Sequence, residues 1–338
     1  MGERFNLLSS ASSKQSSEMS DPELASGASA APVALFVYNR PEHTRRALKS
    51  LAACHGAVKA DLTVFSDAAK TVNAQADVKA VRDVVANVDG FRSVEIVERP
   101  SNMGSAGSVI DGIKHMLSRH EYAIFMEDDL VCAPYALSFL NKALKRYADQ
   151  PNIFTVSAYS YPARLMEIPE SYTHDAYFSP VFSSWGWATW RRSLDYIDWD
   201  VSDYEAFRAN PDSIRAFRHI RDDLPELLAE QQKGQSDDWT LPMAYSQFKN
   251  NFLTLCPVHS LIDNIGHDGS GLHCFDTELF RNDIDHAGDV ISYPDAIYLD
   301  DRIMDASRTA FSNSFLTRVK RRILDQSLKL RRARTKQS

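Results

Sequence analysis

Three consecutive acidic residues are the part of the sequence best suited to chemistry. Glu127, Asp128 and Asp129 directly follow an apolar run, residues 122–126, that is typical of a buried strand. Adjacent carboxylates repel one another, and a divalent cation relieves that repulsion because Mg²⁺ and Mn²⁺ prefer oxygen ligands and can bridge a diphosphate. The triplet therefore predicts a metal site. The alternative is a helix start ahead of residues 134–146, since carboxylates stabilise the positive end of a helix.

Polar loops follow three other predicted strands. The candidate ligand-binding residues in these loops are Tyr38 and Arg40 in the first loop, Asp67 in the second, and Asn102 and Gly104 in the third. Glycines let backbone N–H groups approach a ligand, and the helix that follows the third loop favours anions at its N-terminus. The loops predict a phosphate-bearing ligand, although a purely structural glycine turn would have the same composition.

A second carboxylate pair, Asp237 and Asp238, precedes a predicted helix over residues 237–249. A transfer reaction that inverts an anomeric carbon needs a base to take the proton of the acceptor hydroxyl. Either aspartate could be that base. The alternative role is helix capping by Asp237, because Asp is a favoured N-cap residue, and capping would leave Asp238 free.

Residues 264–273 are too rich in glycine for the interior of a helix or strand and predict a mobile loop that closes over a ligand. Gly269 and Ser270 are candidates to wrap a diphosphate, and His267 or His273 to contact phosphate or metal. Either histidine could equally be an ordinary polar group with its bonds satisfied. Trp185 is the candidate wall of a sugar pocket, whereas core packing is expected for Trp187 and Trp190.

Short β-rich runs alternate with amphipathic stretches from residue 33 to about 150. That alternation predicts an α/β fold with a mostly parallel central sheet, helices on both faces and ligands at the carboxyl ends of the strands. We expect residues 31–150 to bind the nucleotide and residues 151–310 to receive the acceptor. Residues 1–30, rich in Ser and Ala, predict a disordered leader.

Composition excludes several classes of protein. The chain of 338 residues is 44% hydrophobic and 25% charged, and its formal net charge of −7 argues against general nucleic-acid binding. Its four cysteines form no CxxC pair, which predicts reduced core thiols rather than a zinc site or a disulfide framework. Neither a membrane-spanning run nor a signal core is found, so a cytoplasmic location is expected.

The C-terminal segment, residues 311–338, is expected to form a basic amphipathic helix. From Phe315 to Ser338 it contains nine Lys or Arg against one acid, Asp325. Leu316, Val319, Ile323 and Leu330 recur at helical spacing. Such a helix can lie on an anionic membrane surface, or it can be a solvated tail.

Several of these segments together, in one order, resemble a known family of enzymes. They resemble the GT-A β-1,2-N-acetylglucosaminyltransferases that initiate hybrid N-glycans, and two blocks look closer to bacterial transferases that build surface polysaccharides. The matching segments are Tyr38-Asn39-Arg40, Ser66-Asp67, Glu127-Asp128-Asp129-Leu130, Val156-Ser157-Ala158, Trp185-Gly186-Trp187, Asp237-Asp238-Trp239 and the loop over residues 266–271.

The resemblance implies roles for individual residues. Arg40 and Asp67 would contact the nucleotide, Glu127 and Asp128 the donor sugar or ribose, and Asp129 the metal, Mn²⁺ or Mg²⁺. Asp238 would be the catalytic base, and the loop over residues 266–271 would close on the diphosphate. The implied donor is a UDP-sugar, with N-acetylglucosamine as the leading choice, and the acceptor is a glycan or a lipid-linked saccharide.

Two rival functions share some of these features. A nucleotidyltransferase of sugar phosphates uses a similar sheet and acidic metal ligands, but it needs a glycine-rich basic loop where this chain has Tyr38-Asn39-Arg40-Pro41. A glycan-binding protein with the same fold and no turnover is the other rival, and the presence of Asp129 and Asp238 argues against it. The sequence therefore favours an inverting, metal-dependent glycosyltransferase.

Overall fold

An eight-stranded sheet forms the centre of the protein, with the strand order β3-β2-β1-β4-β8-β6-β9-β7. The computed structural model describes residues 30–271, 276–285, 287–290, 292–312 and 314–335. The predicted leader, apart from Ala30, lies outside these residues. Strands β1 to β4, β6 and β9 share one direction, and β8 and β7 run against their neighbours. The predicted α/β class with a mostly parallel sheet is confirmed.

Helices separate most of the strands in the first half of the chain. In order, the elements are β1 (Val33–Val37), α1 (Pro41–Ala52), β2 (Asp61–Ser66), α2 (Gln75–Val85), β3 (Ser93–Glu98), α3 (Gly104–Arg119), β4 (Tyr122–Glu127), β5 (Leu130–Cys132), α4 (Ala136–Arg146) and β6 (Ile153–Ser157).

The second half mixes short strands with several helices. Its elements are β7 (Ala176–Ser179), β8 (Trp187–Trp190), α5 (Tyr204–Arg208), α6 (Pro211–Ile220), α7 (Leu224–Gln232), α8 (Thr240–Lys249), β9 (Leu253–Pro257), β10 (Ile262–Asn264), α9 (Asp301–Phe311) and α10 (Phe315–Thr335). Within the described ranges, none of these helices combines the length and apolar character needed to cross a membrane.

Each face of the sheet has its own hydrophobic core, because successive side chains of a strand point to opposite faces. Leu35 of β1 packs in the core beneath α1, α2 and α4, and Phe36 packs in the core beneath α3 and α8. Helix α3 lies very close to the sheet at Gly112, where an added Cβ would stand 2.3 Å from the Phe36 ring. Both cores hold the carboxyl ends of β1, β2 and β4 in fixed relative positions.

The acidic triplet lies at a junction between two sheets. Strand β4 ends at Glu127, and β5 pairs antiparallel with β10, with Asn264 opposite Leu130. A strand rather than a helix therefore follows the triplet, so the alternative of a helix start is wrong: α4 begins only at Ala136. This junction brings the glycine-rich loop after β10 to the acidic residues.

The thiols of Cys54, Cys132 and Cys256 are free and buried. Cys274 lies outside the described residues.

Candidate functional site

Arg40 brings a positive charge to the acidic triplet. It lies between β1 and α1, and its Nη2 donates a hydrogen bond to Asp128 and another, 2.9 Å long, to Asp129 Oδ2. Asp128 and Asp129 are buried, and the Arg40 side chain is 19% exposed. The other terminal nitrogen, Arg40 Nη1, is buried and has no hydrogen-bond partner within the described part of the chain. Such a donor is available to a ligand oxygen.

The triplet concentrates negative charge, and the pKa values of its side chains reflect this. The enclosed position of Glu127, followed by the charges of Asp129 and Asp128, raises the pKa of Glu127 to about 8. Burial raises the pKa of Asp128 to about 6 against the opposing charge of Arg40. Burial also works against the charge of Arg40, but the two aspartates outweigh it and raise the pKa of Arg40. The charge of Asp238 also raises the pKa of Glu127, so the two carboxylates are close enough to interact electrostatically.

Asp67, which follows β2, fastens the third polar loop. Its carboxylate accepts hydrogen bonds from Asn102 Nδ2 at 3.0 Å and from the backbone N–H groups of Met103 and Gly104 at 2.9 and 3.1 Å. An anion at the start of a helix is stabilised by unpaired N–H groups and by the helix dipole. In the structure Asp67 therefore positions the start of α3; its contact with the nucleotide stays a prediction. Tyr38 lies in the same region, and its hydroxyl accepts from Lys70 N at 3.0 Å.

The Asp237-Asp238 pair approaches this loop from the second half of the chain. Gly104 has a φ of +74°, and a Cβ added there would stand 3.2 Å from Asp237 Oδ2. Asp238 Oδ1 accepts from Thr240 N at 2.9 Å and from Thr240 Oγ1 at 2.6 Å. Asp238 therefore binds Thr240, the first residue of α8, while the N-cap position is occupied by Trp239, whose side chain makes no capping hydrogen bond. The alternative in which Asp237 caps this helix is wrong, because Asp237 is not the N-cap residue. Asp237 is exposed, and Asp238 is half-buried.

The glycine-rich loop, residues 265–271, lies against the triplet. Ile265 N donates to Asp129 O at 2.8 Å, and a Cβ on Gly266 would stand only 2.1 Å from Asp129 Oδ2. Only glycine fits there without displacing that carboxylate. The outer part of the loop is a turn in which Ser270 N donates to Asp268 Oδ1 at 3.0 Å. Asp268 also pairs with His43 of α1, 3.2 Å away.

Trp185 lies in an aromatic cluster beneath the glycine-rich loop. Its ring is edge-on to Tyr159, with centroids 4.5 Å apart, and to His267 at 5.3 Å. His267 is buried and also contacts Phe280. This packing supports the loop, while a sugar-facing role for Trp185 stays a prediction. Trp187 and Trp190 are buried, as expected for core packing.

Most of the predicted site residues lie together in the structure, and a few do not. The structure brings together Arg40, the triplet, the Asp67–Asn102–Gly104 loop, the Asp237-Asp238 pair and Gly266. Gly269 is exposed and has a φ of +84°, in the outer turn, and Ser270 shares that turn. His273, predicted as a metal ligand, lies outside the described residues.

The residues present are compatible with a magnesium-like cation at Asp129. Over the described residues, no three His, Cys, Asp or Glu side chains are arranged to hold a metal by themselves. Mg²⁺, however, is commonly bound by one or two carboxylates together with substrate phosphates and water. Asp129 offers such a carboxylate at the crowded acidic junction, where its Oδ2 is now paired with Arg40. A cation would therefore compete with Arg40 for Asp129.

Two contacts of the site were not expected from the sequence. Arg40 was predicted as a nucleotide contact, not as the partner of Asp128 and Asp129, and His43 was not singled out. The signal for Arg40 was available, because a cation at the end of β1 must lie beside acids at the end of the adjacent β4. The His43–Asp268 pair joins residues 225 positions apart and left no local signal.

A model of the family described as Glycosyl transferase family 2 matches residues 33–205 of the chain. The matched segment contains Arg40, Asp67, Asn102, Gly104 and the triplet. It ends before the Asp237-Asp238 pair and the glycine-rich loop. No curated protein matches the chain.

Distant likenesses are found among solved structures. The mannosyltransferase PcManGT from Pyrobaculum calidifontis, in complex with GDP-Man and Mn²⁺, is 18% identical, with a TM-score of 0.39; the match covers 64% of this chain and 69% of that one. Residues 1–349 of S. aureus TarS are 12% identical, with a TM-score of 0.37; the match covers 68% of this chain and 58% of that one. Likenesses this distant do not identify the donor or the acceptor of this chain.

Proposed function

The chain belongs to glycosyl transferase family 2, and we propose that it is an inverting, divalent-cation-dependent enzyme that takes a sugar from a UDP-sugar. It is an α/β glycosyltransferase of the GT-A type. We propose N-acetylglucosamine as the sugar and a hydroxyl of a glycan or lipid-linked oligosaccharide as the acceptor, in the synthesis of bacterial surface polysaccharide. These choices of donor and acceptor follow the sequence resemblance, which is to the β-1,2-N-acetylglucosaminyltransferases and to bacterial polysaccharide enzymes.

The observation that carries the proposal is the buried Nη1 of Arg40 beside Asp129, which has no hydrogen-bond partner among the described residues. A guanidinium suits a phosphate because its rigid fork can donate parallel hydrogen bonds. Nη2 holds Asp128 and Asp129, so Nη1 is the donor that would reach a diphosphate oxygen. Asp129 would hold the cation, whose chemistry is to neutralise charge on the leaving diphosphate.

In the proposed reaction Asp238 is the base. The acceptor oxygen forms a bond to the anomeric carbon from the side opposite the diphosphate, and the bond to the diphosphate oxygen breaks. The acceptor proton passes to the Asp238 carboxylate, and UDP leaves with the bonding electron pair. Glu127 and Asp128 would orient the donor sugar or ribose by hydrogen bonds. Asp67 would keep the start of α3 in place beside the nucleotide.

Release of UDP from UDP-sugars, measured with Mn²⁺ and with EDTA, tests this function. We expect Mn²⁺-dependent release from one UDP-sugar, and a thermal-shift panel of UDP-sugars should identify that donor, because a bound ligand raises stability according to its affinity. Consumption of a nucleoside triphosphate would instead indicate the rival nucleotidyltransferase. Binding of glycans with no UDP release would indicate a binding protein.

We further propose that α10 binds an anionic membrane at the cytoplasmic face through its exposed basic residues. Arg318, Lys320 and Arg322 are exposed, and Ile323 is 63% exposed among them. Exposed apolar area flanked by cations is the composition that binds anionic lipid surfaces. A lipid-linked acceptor would then be presented at the same surface.

A further inference from the structure

Helix α10 is fastened to the body of the protein by its single acid. Asp325 Oδ1 accepts hydrogen bonds from Thr277 Oγ1 and from Glu278 N, both 2.8 Å long. One turn further along the helix, Lys329 Nζ donates to Asp276 O at 2.7 Å. The inward side of α10 therefore holds residues 276–278, while Ile323, on the opposite side of the helix, is exposed.

Residues 276–278 are in turn bonded to the glycine-rich loop. Thr277 N donates to His267 O at 3.0 Å. His267 follows Gly266, which lies against the Asp129 carboxylate, and Ile265 N donates to Asp129 O. Contacts between described residues thus run without interruption from α10 to the acidic triplet.

We infer that α10 holds the glycine-rich loop in its place over the acidic triplet and that Asp325 is the positioning residue. A loop rich in glycine loses much conformational entropy when it is ordered, so its position needs fixed points. Asp129 supplies the fixed point on the β10 side, and Asp325 supplies it on the α10 side through Thr277. For an effect on sugar transfer, this inference rests on the proposed function.

The charge of Asp325 strengthens the attachment. Burial works against the charged form, but the hydrogen bonds from Glu278 N and Thr277 and the ammonium of Lys329 outweigh it and lower the pKa of Asp325. Hydrogen bonds to a charged acceptor are shorter and stronger than those between neutral groups. Asp325 is thus suited to fix residues 276–278 in position through strong hydrogen bonds rather than only to contact them.

Hydrogen–deuterium exchange of the full-length protein tests this role without any need for turnover. In Asp325→Ala we expect amides of residues 262–271, including those of Ile265 and Gly266, to exchange about tenfold faster, which corresponds to the loss of a hydrogen bond to a charged group. Asp325→Asn keeps an oxygen that can accept both hydrogen bonds, so its amide exchange rates should lie between those of the wild type and those of Asp325→Ala. The matched control is Gln326→Ala, an exposed neighbour on the same helix. Unchanged exchange in Asp325→Ala, or equal acceleration in Gln326→Ala, would overturn the inference.

A second pair of variants keeps the test valid if Asp325→Ala fails to fold. Thr277→Val removes the hydroxyl that donates to Asp325, and Thr277→Ser retains it. We expect faster exchange over residues 262–271 in the valine variant alone, together with a KM for the UDP-sugar raised several-fold at little cost to kcat. Equal behaviour of the two variants would contradict the inference. If the wild type transfers no sugar, the proposed function fails, while the exchange data still decide the role of Asp325.

Discussion

Asp238 has two carboxylate oxygens, which have different tasks in the proposed reaction. Oδ1 holds the start of α8 through Thr240 N and Thr240 Oγ1. We assign the acceptor proton to the other oxygen, Oδ2. The hydrogen bonds to Thr240 then fix the orientation of the proposed base, because the carboxyl group cannot rotate without breaking both of them. A base held in one orientation is an advantage for proton transfer, which needs hydrogen-bond geometry to the acceptor hydroxyl.

Replacement of Asp238 by asparagine separates these two tasks. The amide oxygen of Asp238→Asn can still accept from Thr240, so α8 should start as before and UDP affinity should be kept. Loss of the base should lower the transfer rate by about two to four orders of magnitude. Asp237→Asn is the matched control and should transfer at nearly the normal rate. If the two variants instead lose activity in the reverse order, Asp237 is the base.

Asp129 is the residue on which metal dependence should turn. We predict that Asp129→Ala abolishes the gain in UDP affinity that Mn²⁺ gives to the wild type, because the carboxylate nearest the glycine-rich loop is lost. Arg40 should keep its remaining partner, Asp128. Calorimetric titration of UDP in Mn²⁺ and in EDTA measures the effect. Equal affinity of the variant and the wild type in Mn²⁺ would rule out Asp129 as the metal ligand.

At the scale of elements, the junction of β4, β5 and β10 explains why the glycine-rich loop needs its glycine at residue 266. An added Cβ would meet Asp129 Oδ2 at 2.1 Å, so the loop or the carboxylate must move in Gly266→Ala. Overpacking of this kind typically costs about 1–3 kcal/mol. We expect that loss in chemical denaturation, together with weaker Mn²⁺-dependent UDP binding.

The control for this variant is Gly288→Ala, because a Cβ at Gly288 has no atom within 4 Å. It should leave stability within about 0.5 kcal/mol of the wild type, as is usual for surface substitutions. A Gly266→Ala protein that binds UDP normally in Mn²⁺ would show that the loop and Asp129 do not depend on each other.

The elements differed in how far the sequence could predict them. The strands and helices between residues 33 and 127 carry clear apolar patterns, and the alternation predicted there is present in the structure. Strands β5 and β10 have three residues each and depend on pairing with one another, so no local periodicity indicated them. For the same reason the sequence could suggest which loops meet at the sheet edge, but not that Asp67 would bind backbone N–H groups of α3. Those bonds depend on where two separate loops lie in three dimensions.

At the scale of the whole molecule, charge is distributed very unevenly. The chain has a net charge of −7, yet nine of its cations lie between Phe315 and Ser338. The attachment through Asp325 and Lys329 fixes which side of α10 faces the protein. The exposed cations Arg318, Lys320 and Arg322 belong to this attached helix and are thus held in a constant relation to the acidic site. A surface bound there would set the direction from which an acceptor reaches Asp238.

A triple variant tests whether that surface is an anionic membrane. Arg318→Gln, Lys320→Gln and Arg322→Gln together remove three exposed cations and leave Asp325 in place. Each basic residue near an anionic bilayer contributes about 1 kcal/mol, so binding to phosphatidylserine-containing vesicles should fall by roughly a hundredfold. Vesicles of phosphatidylcholine alone should bind both proteins equally weakly, and UDP affinity should be unchanged. Truncation after residue 314 should also abolish vesicle binding, but it removes Asp325 as well, so the triple variant gives the cleaner answer. Wild-type protein that sediments no better with anionic than with neutral vesicles would leave α10 as a solvated helix whose role is confined to the glycine-rich loop.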